Sequence, residues 1–206
     1  MSTIRTTART TGVALRAVLV LTVLLGLAYP LAVTAVSQIA LPAQANGSIV
    51  TSGGKAVGSS LLGQSFADAD GTALPQYFQP RPSASDYDAT ASGGSNLGPS
   101  NPDLVSTTEK RRAEIAARER VAPSEVPADA VTASASGLDP HISAAYALLQ
   151  VPRVAEARGM SADEVRRIVE SMIQGRDLGF LGEERVNVLQ LNLALDAASA
   201  RVGESR

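Results

Sequence analysis

Residues 17–39 read AVLVLTVLLGLAYPLAVTAVSQI, 23 positions without a charge. At about 1.5 Å of rise per residue, such a stretch spans the ~30 Å hydrocarbon core of a bilayer, so it predicts one membrane-crossing helix. Pro30 lies mid-segment beside Tyr29. It has no N–H to donate and predicts a kink, which membrane helices tolerate where neighbours re-satisfy the freed carbonyl. With Thr34 and Ser37 in its second half, the span suits packing against protein better than isolation in lipid. The competing reading is a cleaved signal peptide ending at Ala43-Gln44-Ala45. Its apolar stretch would exceed the 7–15 residues usual for such peptides.

The flanks orient the span. Arg5, Arg9 and Arg16 precede it, and every one of the 20 acidic residues follows Ala67. The positive-inside rule therefore assigns residues 1–16 to the cytoplasm and residues 46–206 to the outer face of the cell membrane, as a single-pass protein. Residues 46–206 carry 15 basic and 20 acidic residues, a net charge of −5. The whole chain, 206 residues at net −2, carries no nucleic-acid footprint. It lacks Cys and has a single His, His141, which excludes disulfide scaffolds, thiolate sites and His-rich metal centres.

The outer body reads as α+β, one small sheet with several helices. Residues 46–60 predict a hairpin about a Gly53-Gly54 turn. Asp68-Ala69-Asp70-Gly71 predicts a turn that lacks the further ligands of a calcium loop. Residues 79–102 are rich in Gly, Pro, Ser and Asn and predict a long loop. Asn101-Pro102 predicts a cap for a helix over 103–121, a charge-mixed solvated helix ended by Pro123 and Pro127. Asp139-Pro140 predicts a second cap, with His141 in the first turn of a helix that Pro152 restarts or bends and Gly159 ends. Ser161 and Glu164 form a capping box for a helix over 162–174 with an apolar stripe of Val165, Ile168, Val169 and Met172. Residues 186–189 predict a strand and 191–200 a closing helix, although the leucines of 189–195 also fit a period of two.

The chemistry-bearing patterns are sparse. Gly53-Gly54-Lys55-Ala56 is not a phosphate loop, because the earlier Gly and the following Ser or Thr are missing. Asp139, His141, Ser134 and Ser136 offer the parts of a hydrolase triad, but no nucleophile elbow accompanies them. Ser92-Gly93-Gly94-Ser95 reads either as a phosphate cradle or as a bend in a surface loop. No catalytic residue and no metal ligand is assigned.

Three stretches carry a resemblance. They are Gly63-Gln64 with Tyr77-Phe78-Gln79-Pro80-Arg81-Pro82-Ser83-Ala84; Ser92-Gly93-Gly94-Ser95-Asn96-Leu97-Gly98-Pro99-Ser100-Asn101-Pro102; and Val131-Thr132-Ala133-Ser134 through Ser136-Gly137-Leu138-Asp139-Pro140-His141-Ile142-Ser143 to Gln150-Val151-Pro152-Arg153-Val154-Ala155. Together with Arg185-Val186-Asn187-Val188-Leu189, Leu191-Asn192 and the single span, they resemble the C subunits of Kdp high-affinity potassium-transporting ATPases. The resemblance implies a non-catalytic subunit in a complex with a channel-like potassium-binding subunit, a P-type ATPase subunit and a small accessory peptide. It implies no intrinsic cofactor, potassium as the transported ion, and ATP reached through the ATPase subunit. It also implies a catalytic-chaperone role that raises ATP affinity, with Gln150 at the position proposed to touch nucleotide.

The chaperone role meets a conflict, since ATP is cytoplasmic and the charge bias puts the body outside. Topology takes precedence here, and the body is expected to cap the outer mouth of the channel subunit and hold the assembly together. Arg81, Asn96 and Arg153 are the partner-contact candidates, against a role in bracing their own loops. Two alternatives come from other classes. One is a free-standing anchored or secreted binding module whose 79–102 loop takes a small ligand or glycan. The other is an extracytoplasmic hydrolase built on His141.

Overall fold

The computed structural model describes residues 2–204, with the side-chain surroundings of residues 6–200. It divides into two units, Met1–Ile49 and Val50–Arg206.

The first unit is helical. Helix α1 (Ser2–Val23) passes through a π-helical turn (Leu24–Ala28) into α2 (Tyr29–Ala40), followed by the short α3 (Pro42–Ala45). Within it Thr6–Ala40 is a continuous helical run of 35 residues, long and apolar enough to cross a bilayer. Its side chains have no protein cover; Leu25 and Leu31 are 64% and 68% exposed. The disturbance expected at Pro30 takes the form of the π turn just before it, where the Tyr29 N–H donates to the Leu24 carbonyl five residues back. Widening the turn ahead of the proline makes room where its ring crowds the preceding carbonyls. After α2 the chain is pinned by Asn46, whose amide exchanges hydrogen bonds with the Gln38 side chain at 3.3 and 3.0 Å and donates to the Pro42 carbonyl at 2.7 Å.

The second unit is mixed. Strands β1 (Ile49–Ser52) and β2 (Lys55–Ser59) form the expected hairpin. Its turn needs glycine, because Gly53 and Gly54 both take positive φ, 55° and 76°. Asp68 closes the next turn, its Oδ1 accepting from the Asp70 and Thr72 N–H groups at 3.0 and 2.8 Å. Residues 79–101 form the long loop. Helix α4 (Pro102–Glu119) starts as expected, with the Asn101 side chain accepting from the Asp103 N–H and proline in first position. It ends before Pro123, at Arg120 in the left-handed region, where the Val121 N–H reaches back to the Ala116 carbonyl. A 3₁₀ turn (Pro123–Glu125) and α5 (Ala128–Val131) follow.

A second small sheet pairs β3 (His141–Ser143) with β4 (Arg185–Asn187), antiparallel, with Ile142 opposite Val186. Among the described residues the second unit therefore holds two two-stranded sheets and not the single sheet expected. Each strand of this pair runs directly into a helix, β3 into α6 (Ala144–Arg158) and β4 into α8 (Val188–Glu204). In both, the last strand residue is the cap: Ser143 Oγ accepts from the Tyr146 N–H at 3.0 Å, and Asn187 Oδ1 from the Gln190 N–H at 3.1 Å. This corrects two expectations. Asp139 does not cap a helix; its Oδ1 accepts the His141 N–H at 2.9 Å and turns the chain into β3, so His141 is a strand residue. Val188 and Leu189 are helical, and 189–195 belongs to α8. A further correction concerns Pro152, which α6 passes without interruption. Pro152 is exposed while Val151, Val154 and Ala155 around it are buried, so its ring points away from the core and packing of the other face offsets the lost bond. Helix α7 (Ala162–Ser171) carries the capping box as read, with Ser161 Oγ accepting from the Glu164 N–H and Glu164 accepting from the Ser161 N–H.

The core gathers Ile115, Val131, Ile142, Tyr146, Val151, Val154, Val165, Val169, Val186, Leu191 and Leu195 around Phe78. Phe78 is fully buried although it lies outside every helix and strand. Phe78→Ala is expected to cost about 3–5 kcal/mol, read as a lowered urea midpoint of the detergent-solubilised full chain. Val105→Ala, at an exposed position of α4, should shift it by less than ~0.5 kcal/mol.

Candidate functional site

The segment ahead of the long loop, residues 75–79, has no strand partner. Its five carbonyls are instead met by side chains of α6 and α8. Arg153 Nη1 donates to the Pro75 and Tyr77 carbonyls at 2.6 and 3.1 Å, and Arg158 Nε to Gln76 at 2.6 Å. The Asn192 amide takes Phe78 from both sides: Oδ1 accepts its N–H at 2.9 Å and Nδ2 donates to its carbonyl at 3.0 Å. The Gln150 amide treats Gln79 the same way, at 2.7 and 3.1 Å. Each amide thus acts as a surrogate peptide group. Buried main chain must find such partners or lose their full desolvation cost.

The two arginines of this clamp have separate counter-charges: Arg158 Nη2 donates to Asp196 Oδ1 at 2.8 Å, and Arg153 is balanced by Glu119. Glu119, at the end of α4, has a fully buried side chain and accepts from Arg153 Nε at 2.9 Å and Arg118 Nε at 2.8 Å. Arg118 also donates to the Tyr146 hydroxyl at 3.1 Å. Burial pulls the Arg153 guanidinium below its ordinary value and Glu119 opposes that; arginine stays charged. Burial pushes the Tyr146 phenol up, against the Arg118 charge. The solvated, charge-mixed helix read from sequence is thus half right. Lys110 and Glu114 form an exposed i,i+4 pair at 3.9 Å, whereas Arg112 donates to the Val126 carbonyl at 3.0 Å and Glu119 is interior.

The three motif stretches converge on a neighbouring seam. Arg81 Nη1 pairs with Asp139 Oδ2 at 2.8 Å and its Nη2 donates to the Thr132 carbonyl at 3.3 Å. The Tyr87 hydroxyl donates to the Arg81 carbonyl, and burial, with the Asp139 charge, raises the Tyr87 phenol well above its ordinary range. Gly63 is held by close approach, since a Cβ there would sit 2.6 Å from the Asp139 carbonyl and from the Tyr87 ring. Ser83 Oγ donates to the Gly137 carbonyl at 2.7 Å. The Gly93 N–H is taken by the Ser136 carbonyl at 2.9 Å, so Ser92-Gly93-Gly94-Ser95 is a bend packed on residues 135–136 and not an open cradle.

The singled-out residues fall into two groups. Gln150, Arg81 and Arg153 are committed to the protein's own interior; Gln150 is fully buried, and its oxygen also accepts from Arg153 at 2.8 Å. A nucleotide could reach that amide only by displacing Gln79. Asn96 is exposed at positive φ, 54°, with its side chain facing solvent. His141 lies 3.6 Å from Asp139. The Ser134 and Ser136 hydroxyls, 3.1 Å apart, accept the Asp139 and Leu138 N–H groups and so brace a turn. Among the described residues no group of three His, Asp or Glu side chains could hold a metal. Glu119 and Asn192 escaped sequence reading, because a charge near other charges reads as surface, and Asn192 is one polar residue in a leucine-rich helix.

Two outcomes follow from this geometry. Gln150→Ala leaves the Gln79 N–H and carbonyl unpaired and should destabilise the full chain by about 2–4 kcal/mol in urea unfolding, with strong non-additivity against Asn192→Ala in a double-mutant cycle. For Asp139, burial raises the carboxyl pKa, but bonds from His141 and Arg81 outweigh it and leave the value depressed. Its contribution is therefore complete above the ordinary carboxylate value near ~3.9 and disappears as pH falls through the lower native one. Asp139→Asn should remove that part of the acid limb of a stability-against-pH curve.

Comparison with known proteins supplies the identity. Residues 11–197 match the family described as KdpC: K+-transporting ATPase, c chain. The chain is 54% identical over 178 residues to the potassium-transporting ATPase KdpC subunit of Beijerinckia indica subsp. indica, covering 85% of this chain and 87% of that one. It is likewise 54% identical to the KdpC subunits of Kineococcus radiotolerans, over 88% and 90% of the two chains, and of Sorangium cellulosum, over 90% and 96%. A match extending from within the apolar helix through the clamp to α8 shows that the chain belongs to the KdpC family, the c chain of K+-transporting ATPases.

Proposed function

We propose that this chain is a non-catalytic accessory subunit which, anchored by its N-terminal helix, holds a potassium-importing assembly together from the outer face of the cell membrane. Its partners in this reading are the channel-like potassium-binding subunit, the ATP-hydrolysing subunit and a small accessory peptide. The observation that carries the reading is the internal commitment of the polar groups in the motif stretches. Gln150, Arg153 and Asn192 bond one another or the main chain, and Glu119 of α4 closes the network through Arg153, so these groups brace the unit itself.

Support for the placement comes from the uncompensated Arg5, Arg9 and Arg16 ahead of an apolar helix. A body on that face serves by contact, since ATP is on the other side. Its −5 charge raises local potassium only slightly, because screening acts within ~8 Å. Deleting this chain while retaining the two larger subunits is expected to abolish their stoichiometric recovery in detergent and potassium uptake at micromolar concentrations. Normal assembly and uptake without it would overturn the proposal. A C-terminal tag should be cleaved by protease added to spheroplasts; protection of the tag would move the body to the cytoplasm.

A further inference from the structure

Between α7 and β4 the chain makes a small hairpin that the motif stretches do not include. Gln174 and Arg185 exchange backbone bonds at 2.8 and 3.0 Å, and Asp177 and Leu181 at 2.9 Å both ways. Arg185 also reaches the Asp177 carboxylate at 3.3 Å. The loop is therefore rooted in β4 by two rungs and an ion pair. At its tip stand Leu178, Phe180 and Leu181, 83%, 69% and 49% exposed. Elsewhere in the second unit, large exposed apolar side chains such as Leu61, Leu97 and Val105 occur singly.

The tip is not a by-product of folding. Leu178 has φ 53° and Gly179 φ 82°. The left-handed region strains a leucine, whose Cβ crowds the following carbonyl, where glycine would sit freely. A leucine there, nearly fully in solvent, contributes nothing to this unit's core. The rim is acidic: Asp177, Glu183 and Glu184 are exposed, and the last two carry no ion pair, against the single exposed Arg176.

We infer that the tip formed by Leu178, Phe180 and Leu181 is a docking peg that inserts into an apolar cleft, rimmed by basic residues, on another protein subunit of the same transport assembly. The inference rests on the assembly role proposed above. The acidic rim selects against a bilayer surface, where interfacial apolar segments are flanked by Lys and Arg. Three side chains fall well short of the ~800 Å² per partner that a free-standing dimer buries. A small rigid apolar peg fits instead as the desolvated centre of an interface whose remaining contacts, and whose membrane anchor, already hold the partners together.

The test uses the full chain co-expressed with its larger subunits and purified through a tag on this chain. Phe180→Asp and Leu178→Asp are expected to weaken retention of the larger subunits by roughly 30-fold, the scale of an interface hot spot, while Leu97→Asp leaves it unchanged. A photo-activated cross-linker at position 180 of the otherwise unaltered chain should join it to one of the larger subunits in native membranes, a readout independent of whether the aspartate variants fold. Undiminished retention in both variants, or cross-links only to lipid or to a second copy, would overturn the peg. If the unmodified chain itself fails to retain the larger subunits, the assembly role falls instead, so the two failures are distinguishable.

Discussion

A stretch of main chain with no strand to pair with, residues 75–79, lies against α6 and α8 and sinks into the core at Phe78 and Gln79, and the fold of the second unit depends on giving it partners. Hydrophobic burial of Phe78 pulls the segment inward, which would strand the main-chain N–H and C=O groups of Phe78 and Gln79 in a dry interior. Asn192 and Gln150 answer that cost atom by atom, while Arg153 and Arg158 hold the more exposed carbonyls of residues 75–77. Of the two cations, Arg158 pairs with Asp196, while Arg153 brings Glu119 inward, and Glu119 draws in Arg118 and Tyr146. One desolvated segment thus dictates a chain of polar choices across three helices. A network of this kind is worth little to stability compared with an apolar alternative, but it is costly to break, and it admits one register of the chain.

That constraint changes the meaning of the motifs. Gln150 and Arg153 stand in a sequence stretch that invites a ligand-binding reading, and Arg81 sits among polar loops that invite a contact reading. In the folded unit the Gln150 amide meets the main chain of Gln79, Arg153 meets the Pro75 and Tyr77 carbonyls and Glu119, and Arg81 meets Asp139 and the Thr132 carbonyl. The motif stretches are long-range staples: Gly63, Arg81 and Tyr87 meet at Asp139, and Gly93 meets Ser136.

The legible parts of the fold were those governed by local physics. Asn101 and Ser161 announce helix starts because a cap acts within three residues. Gly53-Gly54 announces a hairpin because two positive φ angles exclude most other residues. The 17–39 run announces a bilayer span by length and charge alone. The misreadings share a cause. Asp139-Pro140 looks like a cap followed by a first-turn proline, and only the pairing of Ile142 with Val186 makes the next three residues a strand. Pro152 looks like a stop, yet it faces solvent on a helix whose other face is packed. The alternation of leucines in 189–195 is set aside because Asn187 caps a helix that buries Leu191 and Leu195 together.

By itself the sequence determined the long apolar N-terminal helix, the caps, the turns and the family, since each depends on residue types at short spacing or on a pattern spread over the whole chain. The tertiary structure decided which polar residues are interior. Whether a glutamine, an arginine or a glutamate is a surface group or a buried brace depends on which unpaired backbone lies beside it. That neighbour, here residues 75–79, is brought from 71 positions away in the case of Gln79 and Gln150, and no local rule reaches that far.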